Sequence, residues 1–295
     1  MPNTSRPRRS ALYMPGANVR ALEKGRTLAC DAIIMDLEDS VAPDAKKQAR
    51  KNVAEAIKAG GYGKREVVVR VNALDTTWGY KDIVAAATSG ADAILLPKTE
   101  SANAVRQLER IMLEAGAPES MKIWCMIETP RGVLRTELIA SASPRVSCLV
   151  MGTSDLAKDL HAHHTRERIP MVMSLGHCLL VARAYGLSIL DGVHLDLSDD
   201  EGFEQSCLQG VDFGFDGKTL IHPKTIAKAN EIFGPSEGEV KWSQDIITAF
   251  NAARSKGDGV VVIDGKLVEN LHIVEAQRIV KMSERIKELE ADIAG

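Results

Sequence analysis

Disulfide patterns, long apolar runs and a strong net charge are all absent from this 295-residue sequence. Its five cysteines (Cys30, Cys125, Cys148, Cys178 and Cys207) are odd in number and lack CxxC spacing. That usage favours buried, reduced thiols in a cytoplasmic protein over disulfides or a zinc site. No apolar run approaches the roughly 20 residues that span a bilayer. The basic start, MPNTSRPRRS, is not followed by the apolar segment of a signal peptide.

The charge balance is nearly even, with a formal net charge of −3. Hydrophobic residues make up 45% of the chain and charged residues 26%, which is ordinary for a globular protein. A nucleic-acid-binding chain usually carries a basic patch or a high isoelectric point. We therefore expect neither a nucleic-acid partner nor a membrane partner.

Short apolar runs alternate with amphipathic stretches along the first 222 residues. Amphipathic stretches such as DAKKQARKNVAEAIKAG have helical spacing and end in glycine. Strands that are apolar on both faces and alternate with helices indicate a parallel sheet. Eight such units predict a (β/α)8 barrel, with a doubly wound open sheet as the alternative. The eight runs are SALYM, AIIMDLE, VVVRVN, AILLPK, KIWCMIE, CLVMG, LSILDG and FDGKTLIHP.

The sequence changes character after residue 234. We expect a turn and a helix, a Gly-rich break, a β-hairpin with DG at its turn, and a long final helix. The chain therefore divides into a barrel domain (1–234) and an extension (235–295). The extension is too small to hold a core of its own, so we expect it to pack on the barrel or on an adjacent subunit.

Polar residues follow nearly every predicted strand. In a (β/α)8 barrel the carboxyl-terminal strand ends surround the active site. A single acid such as Asp155 has a simpler explanation, because strand-end acids often cap the next helix. The whole set favours one site at the mouth: Gly16, Glu38, Asp39, Arg70, Asn72, Lys98, Glu128, Asp155, Asp191 and His222.

Glu128 and Asp155 end two consecutive apolar runs, IWCMIE and CLVMGTSD. Converging carboxylates without matching cysteines or histidines indicate a hard cation, Mg2+ or Mn2+. Such an ion acts as a Lewis acid on substrate oxygens. Arg70 has the planar donor fork that binds a carboxylate or a thioester oxygen.

A histidine-rich tract, HAHHTRERIP, contains His161, His163 and His164. Its spacing lacks the i, i+4 pair of a helical metal site. We therefore interpret it as a loop after the sixth strand, at the edge of the substrate mouth.

Several motifs together resemble the citrate lyase beta-subunit-like (CitE-like) family of CoA-ester lyases, within the HpcH/HpaI aldolase superfamily. The motifs are RSALYMPGANVRALEK, DAIIMDLEDSVAPDAKKQAR, VVVRVN, LLPK, IETPRGV, VMGTSDLAKDL and GFDGKTLIHPKTI. The resemblance implies a (β/α)8 barrel, Mg2+ dependence, a CoA-thioester substrate, and a homotrimer or hexamer.

The resemblance also assigns residues. Glu128 and Asp155 match the two metal ligands, and Arg70 matches the arginine that polarises the thioester carbonyl. Glu38 and Asp39 match acids beside the metal. Three residues match positions that approach CoA: Lys24, Lys218 and His222.

One position departs from the lyase pattern. Family lyases carry an Asp in the C-terminal tail that acts in the adjacent subunit, whereas the segment DGKLVENLH has Glu269 there. This tail resembles the (3S)-malyl-CoA thioesterase branch. We expect a lyase that cleaves a malyl-CoA-type substrate to acetyl-CoA or propionyl-CoA and glyoxylate or pyruvate, because lyases are commoner among relatives. The alternatives are a thioesterase, a non-catalytic CoA-ester-binding or citrate-lyase-complex subunit, and an aldolase that uses no CoA.

Overall fold

Eight parallel strands close into a barrel in a computed structural model that describes residues 6–254, 261–263 and 266–294. Strand β1 pairs with both β2 and β8, which closes the ring. The predicted (β/α)8 barrel is confirmed, and the open sheet is excluded. The strands are β1 (Ser10–Pro15), β2 (Ala32–Asp36), β3 (Glu66–Arg70), β4 (Ala93–Leu96), β5 (Lys122–Ile127), β6 (Val146–Met151), β7 (Ser188–Asp191) and β8 (Gly217–Leu220).

Helices surround the strands and form the extension. Around the barrel lie α1 (Val19–Lys24), α2 (Lys46–Ala59), α3 (Gly79–Ala87), α4 (Ala102–Glu114), α5 (Pro130–Leu134), α6 (Thr136–Ala140), α7 (Thr153–Asp159), α8 (Val172–Ala184), α9 (Asp200–Phe213) and α10 (Ile226–Phe233). The extension comprises α11 (Glu237–Arg254), β9 (Val261–Ile263), β10 (Lys266–Val268) and α12 (Asn270–Ala294). Strands β9 and β10 pair antiparallel, as predicted, while their DG turn lies outside the described residues.

Each barrel strand contributes side chains to two apolar layers, because successive side chains point to opposite faces. On β1, Leu12 and Met14 join the large core between strands and helices. Ala11 belongs to a second core inside the barrel, and Tyr13 packs against that core. The same alternation decides which side chains near the strand ends face the mouth.

The amino-terminal face of the barrel is held by buried ion pairs. Arg8 donates to both oxygens of Glu66, at 2.6 and 2.9 Å. Arg9 contacts both oxygens of Asp31, at 2.9 and 3.0 Å. These pairs join the start of β1 to β3 and to the residue that precedes β2.

The extension reaches this same face. Near the end of α12, Glu290 pairs with Arg9 at 3.2 Å, and Asp292 accepts a hydrogen bond from the Lys64 amide at 2.7 Å. The expectation that the extension lacks a core is wrong, since α11, β10 and α12 share a small apolar cluster. Its buried members are Ile246, Phe250, Val268, Ile273 and Ala276. Contact with an adjacent subunit stays a prediction.

All five cysteines are free and buried, as expected. Across the described part of the chain, no helix has both the length and the apolar character to cross a membrane.

Candidate active site at the carboxyl-terminal mouth

A cavity of about 350 Å³ opens at the carboxyl-terminal ends of the strands. It brings together Asp39, Arg70, Glu128 and Asp155, four residues that the sequence analysis placed at one mouth. The remaining lining mixes small polar residues with apolar ones: Tyr13, Asp36, Ser40, Met126, Met151, Gly152, Thr153, Ser154, Val193, Leu195, Thr219 and Ile221. Charged groups and an apolar wall in one pocket suit a small polar group attached to a longer organic chain.

Arg70, the last residue of β3, is held on several sides. Its Nε and Nη2 donate to the two oxygens of Asp36 at 2.6 and 2.7 Å. Its Nη1 lies 3.0 Å from Glu38 and 3.4 Å from Asp39. Burial opposes the charge, but Tyr13 and the surrounding carboxylates raise the pKa of Arg70 well above its usual range. The guanidinium is therefore fixed and always charged.

Asp36 was missed by the sequence analysis, although it organises this part of the site. Besides Arg70, it accepts the amide protons of Glu38 at 2.9 Å and Ser40 at 3.0 Å. It thereby shapes the loop that carries Glu38 and Asp39. Burial works against its charge, but Arg70 and these donors lower the pKa of Asp36. One signal was available in the sequence, because Asp36 follows Ile34 by two residues and so continues the inward-facing series. Its pairing with Arg70 is seen only in the register of the structure.

Glu128 follows β5 and is only 2% exposed. Its Oε1 accepts the backbone N–H of Lys98 at 2.6 Å. Burial, followed by the charge of Glu38, raises the pKa of Glu128 to about 7. Lys98 adopts a left-handed backbone (φ 46°), which is uncommon for a residue other than glycine. Its ammonium group lies 3.0 Å from Glu38, so Lys98 connects the two acids.

Gly152 allows the next element to approach Glu128. A Cβ atom at Gly152 would lie 2.3 Å from Cβ of Glu128 and 2.7 Å from its Oε2, so no side chain fits there. Helix α7 starts at the following residue and carries Asp155 in its first turn. No side-chain capping hydrogen bond is formed at the start of this helix within the described residues, so such a bond does not account for Asp155. The Asp155 carboxylate instead borders the cavity and pairs with Lys158 at 3.0 Å.

The two carboxylates fit a hard cation that has few protein ligands. Glu128 retains Oε2 without a hydrogen bond among the described residues, and its pKa is raised because burial and the charge of Glu38 outweigh the Lys98 N–H and the charge of Arg70. No cluster of three or more His, Cys, Asp and Glu side chains suited to a metal occurs in the described ranges. Mg2+ commonly takes only one or two carboxylates and completes its shell with water and substrate oxygens. The residues present therefore fit Mg2+ better than zinc.

Two residues predicted to bind CoA lie at the surface, and the third is buried. Lys24 is exposed at the end of α1, and exposed His222 accepts the Lys224 amide proton at 3.1 Å. Lys218 is 1% exposed and donates to Asp191 at 2.7 Å. Its neighbour Thr219 lines the active-site cavity, so Lys218 belongs to the opposite, helix-facing side of β8. Lys218 also lines a second cavity, of about 320 Å³, beside the mouth, so its role in CoA binding stays a prediction.

Glu269 immediately precedes α12 and is exposed. Its backbone amide donates to the His272 ring at 3.0 Å. Its carboxylate has no hydrogen bond or ion pair within the described residues, and it does not line the cavity of its own barrel. One chain alone therefore does not bring Glu269 to the site.

The histidine tract forms a loop between α7 and α8, as predicted. His163 and His164 line a second cavity of about 320 Å³. The two cavities share Thr153, Val193 and Leu195, so the loop lies beside the mouth.

Known protein sequences resemble this chain over most of its length. A family model described as HpcH/HpaI aldolase/citrate lyase matches residues 9–223. The (3S)-malyl-CoA thioesterase of Cereibacter sphaeroides strain KD131 is 47% identical, over 97% of this chain and 98% of that protein. The L-malyl-CoA/beta-methylmalyl-CoA lyase of the same species (strain ATCC 17025) is 34% identical, over 97% of both chains.

Solved structures show the same fold. CitE from Mycobacterium tuberculosis, in complex with magnesium, acetoacetate and coenzyme A, is 27% identical. It superposes with a TM-score of 0.73 over 93% of this chain and 97% of the CitE chain. The citrate lyase beta subunit of that organism, complexed with oxaloacetate and magnesium, has a TM-score of 0.68 and 29% identity, over 79% of this chain and all of that one.

Proposed function

The chain belongs to the HpcH/HpaI aldolase/citrate lyase family, and we propose that it hydrolyses (3S)-malyl-CoA, or a close CoA thioester, to the free acid and CoA. One observation carries the choice of hydrolysis. Identity is 47% to proteins named as thioesterases but 34% to the named lyase and to citrate lyase beta subunits, at similar coverage. The lyase reaction favoured by the sequence alone is supported only at the level of the family.

We propose Mg2+ as the cofactor, held by Glu128 and Asp155. Both carboxylates border the cavity, and the related CitE structures contain magnesium. When bound, the ion supplies a Lewis acid that polarises substrate oxygens.

Arg70 would hold the thioester carbonyl oxygen. Its contact with Asp39 is the longest of its polar contacts, at 3.4 Å, and the Asp39 side chain is 57% exposed. A substrate oxygen can therefore replace Asp39 at small cost, while Asp36 keeps the guanidinium in place. A preorganised cation aimed at the developing oxyanion stabilises it without reorganisation. Glu38 would hold the side chains of Arg70 and Lys98 in place through its ion pairs with both.

Glu269 of an adjacent copy would act as the general base. It would take a proton from water while the water oxygen bonds to the carbonyl carbon. Collapse of the tetrahedral oxyanion then breaks the C–S bond, and the CoA thiolate leaves and takes up a proton. The Glu269 carboxylate, which is exposed at the start of α12 and has no hydrogen bond or ion pair among the described residues, supports this role. We therefore treat residues 1–234 as the catalytic barrel and 235–295 as a segment that completes a neighbouring site.

CoA would contact Lys24 and His222, which are both exposed. A lyase reaction on the same substrate is the second candidate, because the named lyase aligns over 97% of the chain. In that reaction Arg70 would hold an enolate oxygen and Glu269 would protonate the enolate carbon.

A product assay separates the reactions. Purified full-length protein is incubated with (3S)-malyl-CoA and Mg2+, while free thiol is followed with a disulfide reagent and glyoxylate is trapped with phenylhydrazine. We expect thiol without phenylhydrazone, and loss of the signal in EDTA. Phenylhydrazone without thiol would replace hydrolysis by C–C cleavage. Neither product would contradict both reactions and favour a non-catalytic CoA-ester-binding subunit.

A further inference from the structure

Tyr13 is a residue of the active-site cavity whose hydroxyl group is not used by the mechanism proposed so far. It lies on β1 and follows the inward-facing Ala11 by two residues, so its ring points into the barrel. It lines the cavity together with Arg70 and Glu128. Its ring packs on the apolar interior of the barrel, which fixes the ring from below.

The hydroxyl of Tyr13 is buried and has no hydrogen-bond partner among the described residues. Buried tyrosine hydroxyls usually find a partner, because an unpaired buried polar group is costly. The Arg70 guanidinium lies over the ring face, with its central carbon 4.7 Å from the ring centroid. Tyr13 is therefore held by a cation–π contact while its donor remains unused.

We propose that Tyr13 is a substrate-contacting residue whose O–H donates a hydrogen bond to the acyl carbonyl oxygen of the bound thioester. This inference rests on the proposed function and adds a second donor to that of Arg70. The Tyr13 hydroxyl and the Arg70 guanidinium would then both donate to the same acyl carbonyl oxygen. Burial is the main cause that raises the pKa of Tyr13, so the phenol keeps its proton and remains a donor.

The inference applies to both candidate reactions. In hydrolysis the carbonyl oxygen becomes the oxyanion of the tetrahedral intermediate, and in C–C cleavage it becomes an enolate oxygen. A donor at this position stabilises either charge. The contribution of Tyr13 is therefore independent of which bond breaks.

Tyr13→Phe removes only the hydroxyl. We expect kcat to fall by about 10-fold to 100-fold, because one of two oxyanion donors is lost. The melting temperature should stay the same or rise, since no hydrogen bond of the free protein is broken. Both values are measured on the full chain, with thiol and glyoxylate followed together.

Tyr62 provides a matched control. It is buried and lies under an arginine, since Cζ of Arg26 is 5.5 Å from its ring centroid. Its hydroxyl, however, donates to the Leu22 carbonyl at 3.0 Å, and Tyr62 does not line the active-site cavity. Tyr62→Phe should lower the melting temperature and leave kcat within about twofold, the opposite of the result expected for Tyr13→Phe.

A binding experiment keeps this inference separate from the proposed function. The probe is the ketone analogue of malyl-CoA in which CH2 replaces the thioester sulfur, so that the carbonyl is kept but hydrolysis is impossible. Calorimetry should show a several-fold weaker Kd for Tyr13→Phe than for wild type, whether or not the wild type turns over malyl-CoA. An unchanged kcat and Kd would overturn the role of Tyr13 alone. Absence of binding by the wild type would overturn both proposals.

Discussion

The two ends of the barrel differ in how completely their buried carboxylates are paired with cations. At the amino-terminal face, Arg8 and Glu66 form one bidentate pair and Arg9 and Asp31 another. Around the active-site cavity, Arg70 and Lys98 contact three acids between them, while among the described residues Glu128 accepts only a backbone N–H and Asp155 pairs only with the exposed Lys158. Asp191, at the end of β7, is the exception at this face, because both Arg168 and Lys218 pair with it. Matched pairs hold strands together, whereas the surplus carboxylate is the basis for the proposed cation site.

The cost of that surplus can be seen at Glu128. Its pKa is raised to about 7, so near neutral pH the Glu128 carboxyl group is divided between its charged and its neutral form. Folding tolerates this site because the matched pairs and the apolar layers stabilise the rest of the barrel. Such local frustration is typical of functional sites.

Removing one of the two proposed metal ligands should have the largest effect. We expect Asp155→Asn to lower kcat/KM by about a thousandfold, because Lewis-acid stabilisation worth several kcal/mol is lost. Asp159→Asn is the matched control, since Asp159 lies on the same helix, pairs with the same Lys158 and does not line the cavity. Thiol release at saturating Mg2+ compares the two. Equal losses would mean that Asp155 acts only through surface charge.

The next comparison breaks one ion pair on each face. Asp36→Asn removes the bidentate partner of Arg70, and we expect kcat to fall about 100-fold because a displacement near 1 Å has that effect. Glu66→Gln breaks the Arg8 pair and should destabilise the fold by about 3–5 kcal/mol with kcat almost unchanged.

Urea unfolding and initial rates are measured for both variants. If Glu66→Gln lost activity as severely as Asp36→Asn in folded protein, the division between a structural face and a catalytic face would be wrong.

These pairs also show what the sequence could predict. Apolar runs and helical spacing identified all eight strands and the two helices of the extension, because these signals are local. Arg70, Glu128 and Asp155 could be predicted from their positions at strand ends, because the carboxyl-terminal strand ends of a (β/α)8 barrel surround one mouth. The sequence pattern places Asp36 inside the strand and assigns the strand-end acids to Glu38 and Asp39, which follow two and three residues later.

Other residues required the register of the barrel. Lys218 and Thr219 are adjacent, and only alternation across β8 shows that Thr219 lines the cavity while Lys218 faces the helices. The left-handed backbone of Lys98 follows no simple rule for a lysine, so its N–H contact with Glu128 could be seen only in three dimensions. Tyr13 lies within the apolar run SALYM, where nothing in the sequence distinguishes it from a core residue.

The smallest predicted effect is a pH dependence of stability in metal-free protein. The folded pKa of Glu128, about 7, lies above the ordinary 4.5, so the folded state binds more protons between these values. The contribution of Glu128 to stability should therefore decrease as pH rises from about 4.5 to 7, by about 3 kcal/mol at most.

Glu128→Gln removes the titrating group, so its unfolding free energy should vary less with pH. Urea unfolding in EDTA at pH 5.5 and pH 8 measures the difference between wild type and variant. The variant should be the more stable of the two at pH 8. A difference that is the same at both pH values would contradict the raised pKa.

The surplus of carboxylate at the mouth is tested most directly by calorimetric titration of metal-free wild-type protein with Mg2+ at pH 8. We predict one ion bound per chain, with binding lost in Asp155→Asn and kept in Asp159→Asn. Absence of binding by the wild type, or equal binding by all three proteins, would contradict the assignment of the mouth as a magnesium site.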